Sequence, residues 1–264
     1  MFDGVETLLG QEDPHPVAVE RPAGRSPYFL TCDHAGRQIP RQLGQLGLAA
    51  ADLTRHIAWD VGAAEVARGL SERLDATLVM QSYSRLVIDC NRPTDQGDSI
   101  TAVSETTEVP GNKDLHPGHA EARAREIFHP YHDHIAEALD SRQADGRESL
   151  LVAVHSFTPV YKGEARPWHV AALYNRDRRL AEILMALMGE DPALVIGDNE
   201  PYSVDDESDY TIPQHGEKRV IPHVLIEIRH DLIEDTAGQS EWAERLADWL
   251  SRAPDRLRDG GGAA

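Results

Sequence analysis

The sequence predicts an α/β protein whose sheet is largely parallel and covered on both faces. Two observations lead there. Short apolar runs alternate with longer amphipathic stretches, and the runs lack the polar alternation of a half-exposed strand, as expected of strands buried on both sides. The chain, at 264 residues, is also long enough to bury a substantial core in one domain. Residues 26–255 are read as that single domain, residues 1–25 as a flexible arm and residues 256–264, ending Gly-Gly-Gly-Ala-Ala, as a disordered tail.

Taken in order, Tyr28–Cys32 reads as a strand ending at Asp33-His34. Ile57, Val61, Ala64, Leu70 and Leu74 follow helical spacing. Thr77–Met80 and Leu86–Cys90 read as two strands. Glu121–Ser141 is helical in period, with Pro130 expected to start a new helix or kink the old one. Leu150–Val154 is a continuous apolar strand ending at His155, and Val170–Leu173 is another, followed by a helix over Arg178–Met188. Val224–Ile228 reads as a buried strand and Glu241–Leu250 as the closing helix. Between Pro93 and Pro117 lies a long polar stretch with Asp95, Gly97, Asp98, Glu105, Glu108 and His116. Loops of this length in a compact domain often act as lids.

Lys and Arg number 26 against 45 Asp and Glu, a formal net charge of −19. Duplex nucleic acid and anionic membranes are bound through cations, so both are excluded as partners, and an anionic substrate requires a local cationic pocket. No apolar run is long enough to span a bilayer. The acidic N-terminus lacks the basic start and apolar stretch of a secretory signal, which points to the cytoplasm. Two cysteines, Cys32 and Cys90, are too few for a disulfide framework and read as a reduced, buried pair.

Sites in open α/β sheets form at the carboxyl ends of strands. Four polar groups stand at such ends: Asp33-His34, Asp89-Cys90-Asn91-Arg92, His155-Ser156 and Glu227-Ile228-Arg229. His34 and His155 are the metal-ligand candidates, since neutral imidazole suits Zn²⁺ and a hydrolytic site needs three protein ligands and one open position. Asp60 is the first choice for the third ligand, although an Asp there also suits the start of the following helix. His56 and Asp33 compete with it, and Asp33 has the alternative of orienting His34 or a water at the metal. Glu227 ends an apolar strand, where desolvation raises a carboxyl pKa toward the range useful for acid–base work. The competing role is an ion pair with Arg229, two residues on and on the same face. Arg85, Asn91 and Arg92 supply cationic and polar anchors for a carboxylate or an oxyanion, with a structural ion pair to Asp89 as the alternative. Ser156 and Arg229 are further substrate-binding candidates, although Ser156 lacks the Gly-rich elbow of a serine nucleophile. The histidine-dense His129–His134 reads as the start of an amphipathic helix rather than a ligand cluster.

Five segments together resemble the N-formylglutamate amidohydrolase family: Thr-Cys-Asp-His-Ala-Gly-Arg-Gln-Ile-Pro (31–40), Ser-Arg-Leu-Val-Ile-Asp-Cys-Asn-Arg-Pro (84–93), His-Ser-Phe-Thr-Pro (155–159), Asp-Asn-Glu-Pro-Tyr-Ser (198–203) and Ile-Glu-Ile-Arg-His-Asp-Leu-Ile (226–233). The resemblance spans roughly residues 27 to 235. The family is similar in fold to zinc carboxypeptidases, which implies a phosphorylase/hydrolase-like, three-layer α/β/α domain with a mixed, largely parallel sheet. It implies one zinc, or another divalent ion, on His34 and His155, the substrate carboxylate on Asn91 and Arg92, and Glu227 as general base. Carboxypeptidases carry a ligating Glu three residues after the first His. Here that position is Arg37, which is why Asp60 enters. The expected activity is metal-dependent cleavage of an N-acyl, above all N-formyl, amide of a small acidic amino acid. A carboxypeptidase, another N-acyl amino acid deacylase and a non-catalytic metabolite binder are the alternatives.

Overall fold

The computed structural model describes residues 7–260. A seven-stranded sheet runs through its centre. In chain order the strands are β1 (Val17–Glu20), β2 (Tyr28–Cys32), β3 (Thr77–Gln81), the small hairpin β4 (Val103–Ser104) and β5 (Thr107–Glu108), β6 (Leu150–Phe157), the hairpin β7 (Val160–Tyr161) and β8 (Glu164–Ala165), β9 (Val170–Leu173), β10 (Ile196–Asp198) and β11 (His223–Arg229). The sheet order is β1-β3-β2-β6-β11-β9-β10. The β3/β2, β2/β6, β6/β11 and β9/β10 pairs are parallel, whereas β1/β3 and β11/β9 are antiparallel. The sheet is therefore mixed and largely parallel, as expected.

Among the described residues, five α-helices accompany it: α1 (Ala63–Leu74), α2 (Pro117–Arg123), α3 (His129–Ala144), α4 (Arg179–Met188) and α5 (Thr236–Gly260). Alternate strand residues feed two cores. Tyr28, Leu30, Val152 and Val154 pack with α1, α4 and α5, while Phe29, Leu151, Ala153 and Leu225 pack with α3 on the opposite face. Both faces of each central strand are thus apolar, which explains their uninterrupted apolar runs and gives the three layers. Among the described residues, no helix is long and apolar enough to cross a membrane.

Several boundaries differ from the sequence reading. Residues 17–20, inside the expected arm, form β1, which pairs with β3 as an edge strand. Helix α5 continues through Gly260, so the first part of the expected tail is helical, and 261–264 lie outside the described residues. The helix expected from Ile57 begins only at Ala63, after Gly62 at a φ of 77°. A Cβ on Gly62 would stand 2.1 Å from the Ile233 carbonyl oxygen, so glycine is required on two counts. Pro130 lies in the first turn of α3, just after a π-helical segment over Ala124–Phe128, in keeping with a break there.

Leu86–Cys90 is not a strand. Leu86, Val87, Ile88 and Cys90 are buried, but side chains and loops satisfy much of the backbone around them. Asn112 donates to the Leu86 carbonyl at 2.8 Å, Arg123 donates to the Val87 carbonyl at 2.8 Å, and Asp89 N–H donates to the Ser99 carbonyl at 2.7 Å. Both cysteines are free and buried, as read from the sequence.

Candidate active site

Three neighbouring parallel strands, β2, β6 and β11, bring their carboxyl ends together. Asp33 and His34 follow β2, His155 lies near the end of β6, and Glu227 lies near the end of β11. Glu227 and His155 are register partners in adjacent strands, so their side chains leave the sheet on the same face. Asp60 enters from the turn before α1, where its N–H donates to the His34 carbonyl at 3.0 Å. Its side chain does not cap the helix.

The imidazoles meet edge to face, with centroids 4.9 Å apart. His34 Nε2 lies 2.7 Å from Asp89 Oδ1 and His155 Nε2 lies 3.0 Å from Asp33 Oδ2. The two Nδ1 atoms converge instead on Asp60 Oδ2, at 3.3 Å from His34 and 2.8 Å from His155. One donor atom from each of His34, Asp60 and His155 lies within 4.8 Å of the others, and together they could hold a metal ion. The chemistry of the set fits a divalent cation. Two imidazoles and a carboxylate are hydrolytic-zinc ligands, and a carboxylate behind each imidazole fixes its tautomer with Nδ1 inward.

Asp33 is thus a supporting group, and it orients His155 rather than His34. Its other oxygen accepts hydrogen bonds from Tyr131 Oη at 2.7 Å and Thr211 Oγ1 at 2.9 Å. Asp89 has the matching role behind His34 and ties it to Arg85, whose Nε and Nη2 donate to Asp89 Oδ2 at 3.1 and 2.7 Å. The ion pair weighed for Arg85 is therefore present. Burial opposes ionisation of Asp89, but Arg85 and His34 outweigh it and hold this carboxyl well below its usual range.

Glu227 is 7% exposed, and its Oε2 has no hydrogen-bond partner among the described residues. Burial pushes its pKa up to about 7, against the pull of the His155 charge. The competing ion pair with Arg229 does not form. Arg229 bonds Asp231 at 2.8 Å, and its Nη1 lies 3.4–3.5 Å from the carbonyls of residues 166–168. Arg229 is not among the residues lining the cavity.

A cavity of about 380 Å³ opens over this centre. His34, Asp60, His155, Glu227, Arg85, Asn91, Arg92 and Ser156 all line it. Ser156 donates its hydroxyl to the Val61 carbonyl at 2.8 Å. Asn91 holds the 209–211 segment: its Oδ1 accepts from the Tyr210 and Thr211 N–H groups, and its Nδ2 donates to Asp209. Arg92 donates through Nη1 to the Asn91 and Ser208 carbonyls and stands 3.5 Å from Asp209 and 3.4 Å from Asp98. His56 sits at the wall beside Glu105, 3.7 Å away, and is not in the group of donors that could hold a metal. Glu105, at the tip of the β4–β5 hairpin, is held by Arg55 at 2.7 Å. The long loop therefore forms part of the cavity wall. The histidine-dense segment sends no ligand to the centre. His132 bonds His215 and the Cys90 carbonyl, while its neighbour Tyr131 supports Asp33.

The sequence reading missed Tyr131, Thr211 and Tyr202, and it gave Asp89 no role toward His34. Tyr202 lines the cavity. Asp89, Tyr202 and Tyr131 stood in segments already singled out, and Thr211 did not.

The chain matches the model of the N-formylglutamate amidohydrolase family over residues 26–234. It is 38% identical to a gene product of Agrobacterium tumefaciens whose crystal structure superposes with a TM-score of 0.92, covering 95% of this chain and 99% of that one. The N-formylglutamate amidohydrolase of Ralstonia eutropha, at 19% identity, shares the fold with a TM-score of 0.68 over 94% of this chain and all of that one, 100%. No curated protein matches the chain.

Proposed function

The chain belongs to the N-formylglutamate amidohydrolase family, and we propose that it hydrolyses the N-acyl amide of a small acidic amino acid, with N-formylglutamate as the model substrate. One observation carries this reading most directly. Glu227 is a buried carboxyl with a pKa near 7 and an unpartnered Oε2, set in register with His155 beside the His34–Asp60–His155 donors. A site that only bound a metabolite would have no need of such a group.

His34, Asp60 and His155 would hold a divalent cation, zinc by the nature of the donors, which would supply Lewis-acid polarisation of the acyl carbonyl and acidify water there. Glu227 takes the proton of the attacking water on its free Oε2 and delivers it to the departing nitrogen as the C–N bond breaks. Arg85 keeps its charge through Asp89 and Asp60, with Nη1 3.5 Å from Asp60 Oδ1, and stabilises negative charge developing on the acyl oxygen. Arg92 has no hydrogen bond on Nη2 among the described residues and receives the α-carboxylate through it. Asn91 acts behind Arg92 by fixing the 209–211 segment.

The test is a panel of N-formyl, N-acetyl and N-succinyl amino acids, assayed with metal analysis on the same preparation. The reading expects turnover of an N-formyl acidic amino acid by metal-loaded protein. Failure of a loaded preparation to cleave any N-acyl amino acid would overturn it.

A further inference from the structure

We propose that Arg166 is a specificity-determining residue of this site and receives the side-chain carboxylate of the substrate. The inference rests on the amidohydrolase reading above and adds to it a residue for the second negative charge. A substrate with two carboxylates needs two cations, and most guanidiniums near the cavity are already neutralised. Arg85 is paired with Asp89, Arg55 with Asp52 and Glu105, and Arg92 stands between Asp98 and Asp209. Arg92 has a free edge for one carboxylate and little charge to spare for another.

Arg166 differs. Among the described residues no carboxylate lies within ion-pair distance of it, in a protein with 45 Asp and Glu. Aromatic rings hold it instead. Its Cζ lies 4.7 Å from the ring centroids of Tyr161 and Tyr202 and 5.9 Å from that of Phe157. All three rings line the cavity, so the guanidinium, although not itself among the lining residues, packs directly against the cavity wall. Aromatic faces stabilise a guanidinium without neutralising it and leave its in-plane N–H groups free. Nη1 donates to Tyr202 Oη at 2.8 Å, and the remaining donors form a fork suited to a carboxylate.

The backbone beneath it is fixed. Arg166 N–H donates to the Pro159 carbonyl at 2.8 Å, and Arg229, itself anchored on Asp231, reaches toward the carbonyls of residues 166–168. Two carboxylates of the cavity wall are engaged by other groups. Glu105 is paired with Arg55, and Asp205 accepts the Ser208 hydroxyl and the N–H groups of Glu207 and Ser208.

The experiment compares parent and Arg166→Gln on N-formyl-L-glutamate and N-formyl-L-glutamine, which differ only in the side-chain charge. The parent should prefer the glutamate. Arg166→Gln should lose at least ~30-fold in kcat/KM on it, mainly through KM, and change little on the glutamine. Arg166→Lys should recover part of the loss. Equal losses on both substrates, or no loss on either, would overturn the proposal. Calorimetric binding of glutarate and butyrate to the same proteins gives a readout independent of turnover. The parent should bind glutarate more tightly, and Arg166→Gln should not discriminate. If no amide is cleaved, the amidohydrolase reading fails, while the binding pair still decides the role of Arg166: equal binding of the two acids by the parent rejects it.

Discussion

His34 and His155 turn their Nδ1 atoms to one oxygen of Asp60 while two other carboxylates, Asp89 and Asp33, hold their Nε2 atoms from behind. The two imidazoles come from different strands, yet each is fixed by the same device. A hydrogen bond behind the ring decides which nitrogen faces the centre.

This relationship makes the metal prediction specific. The protein should bind about one Zn²⁺ per chain. His34→Ala, His155→Ala and Asp60→Ala should each lose metal and activity together. His56→Ala should keep its metal, because His56 stands beside Glu105 and is not in the donor group. Metal content by mass spectrometry of the purified variants decides. Full occupancy in Asp60→Ala would remove Asp60 from the ligand set.

The central strands were legible because each buries both faces. A continuous run such as Leu150–Val154 has few other uses in a fold of this kind. The same signal misleads at Leu86–Cys90. Burial makes a segment apolar, but periodicity does not say whether its backbone partners are a strand or the side chains of Asn112 and Arg123. The edge strand Val17–Glu20 was hidden for a different reason, since it is four residues long, only partly buried and set between Pro16 and Pro22. At the site, His34, His155 and Glu227 could be read from their strand ends. Tyr131 and Thr211 could not, since they reach Asp33 across 98 and 178 residues of chain. Arg229 shares a strand face with Glu227, but the chain turns into a 3-10 segment at His230–Leu232, where Asp231 binds its guanidinium.

Asn112 should prove a stability determinant of the long loop. It donates to the Leu86 and Thr101 carbonyls, both at 2.8 Å, and accepts from the buried Arg123 at 2.7 Å. Asn112→Ala leaves these buried groups unsatisfied, at ~1–3 kcal/mol each before relaxation. A loss of about 2 kcal/mol corresponds to a fall in Tm of roughly 4–8 °C. Calorimetry would check it, and an unchanged Tm would show that solvent replaces Asn112 without cost.

The buried pair His132 and His215 should make the protein acid-sensitive. His132 Nε2 donates to the Cys90 carbonyl, so its Nδ1 accepts from His215 Nε2, and both rings are held neutral. Burial lowers their pKa values to about 4 and about 3. Folded values below the ordinary 6.5 mean that the unfolded chain binds more protons. The stability contribution is complete above pH 6.5 and is lost as pH falls from there toward 4. His215→Gln keeps a donor to His132 and removes one titration. Its stability should fall less steeply between pH 6.5 and 5, by up to ~1.4 kcal/mol per pH unit. Urea unfolding at the two pH values measures the difference, and equal slopes would mean that His215 is not held neutral.

Glu227→Gln separates chemistry from architecture. Glutamine keeps the size of the side chain and one carbonyl oxygen, but it cannot serve as the base. The structure gives Glu227 no ion pair to lose: Arg229 is bound to Asp231, and Glu227 Oε2 has no partner among the described residues. The variant should therefore melt at or above the parent temperature, since a neutral amide is cheaper to bury than a carboxylate. It should also keep its metal. Turnover should fall by the ~10²–10⁴ expected when general acid–base catalysis is removed. In the parent, kcat/KM should decline as pH drops and Glu227 takes up a proton. That limb should lie at or below the value of about 7 set by burial, because a bound cation favours the ionised form. Thermal midpoint, zinc content and turnover on one preparation distinguish the cases. A stable, metal-loaded Glu227→Gln with near-parent turnover would eliminate Glu227 as the base.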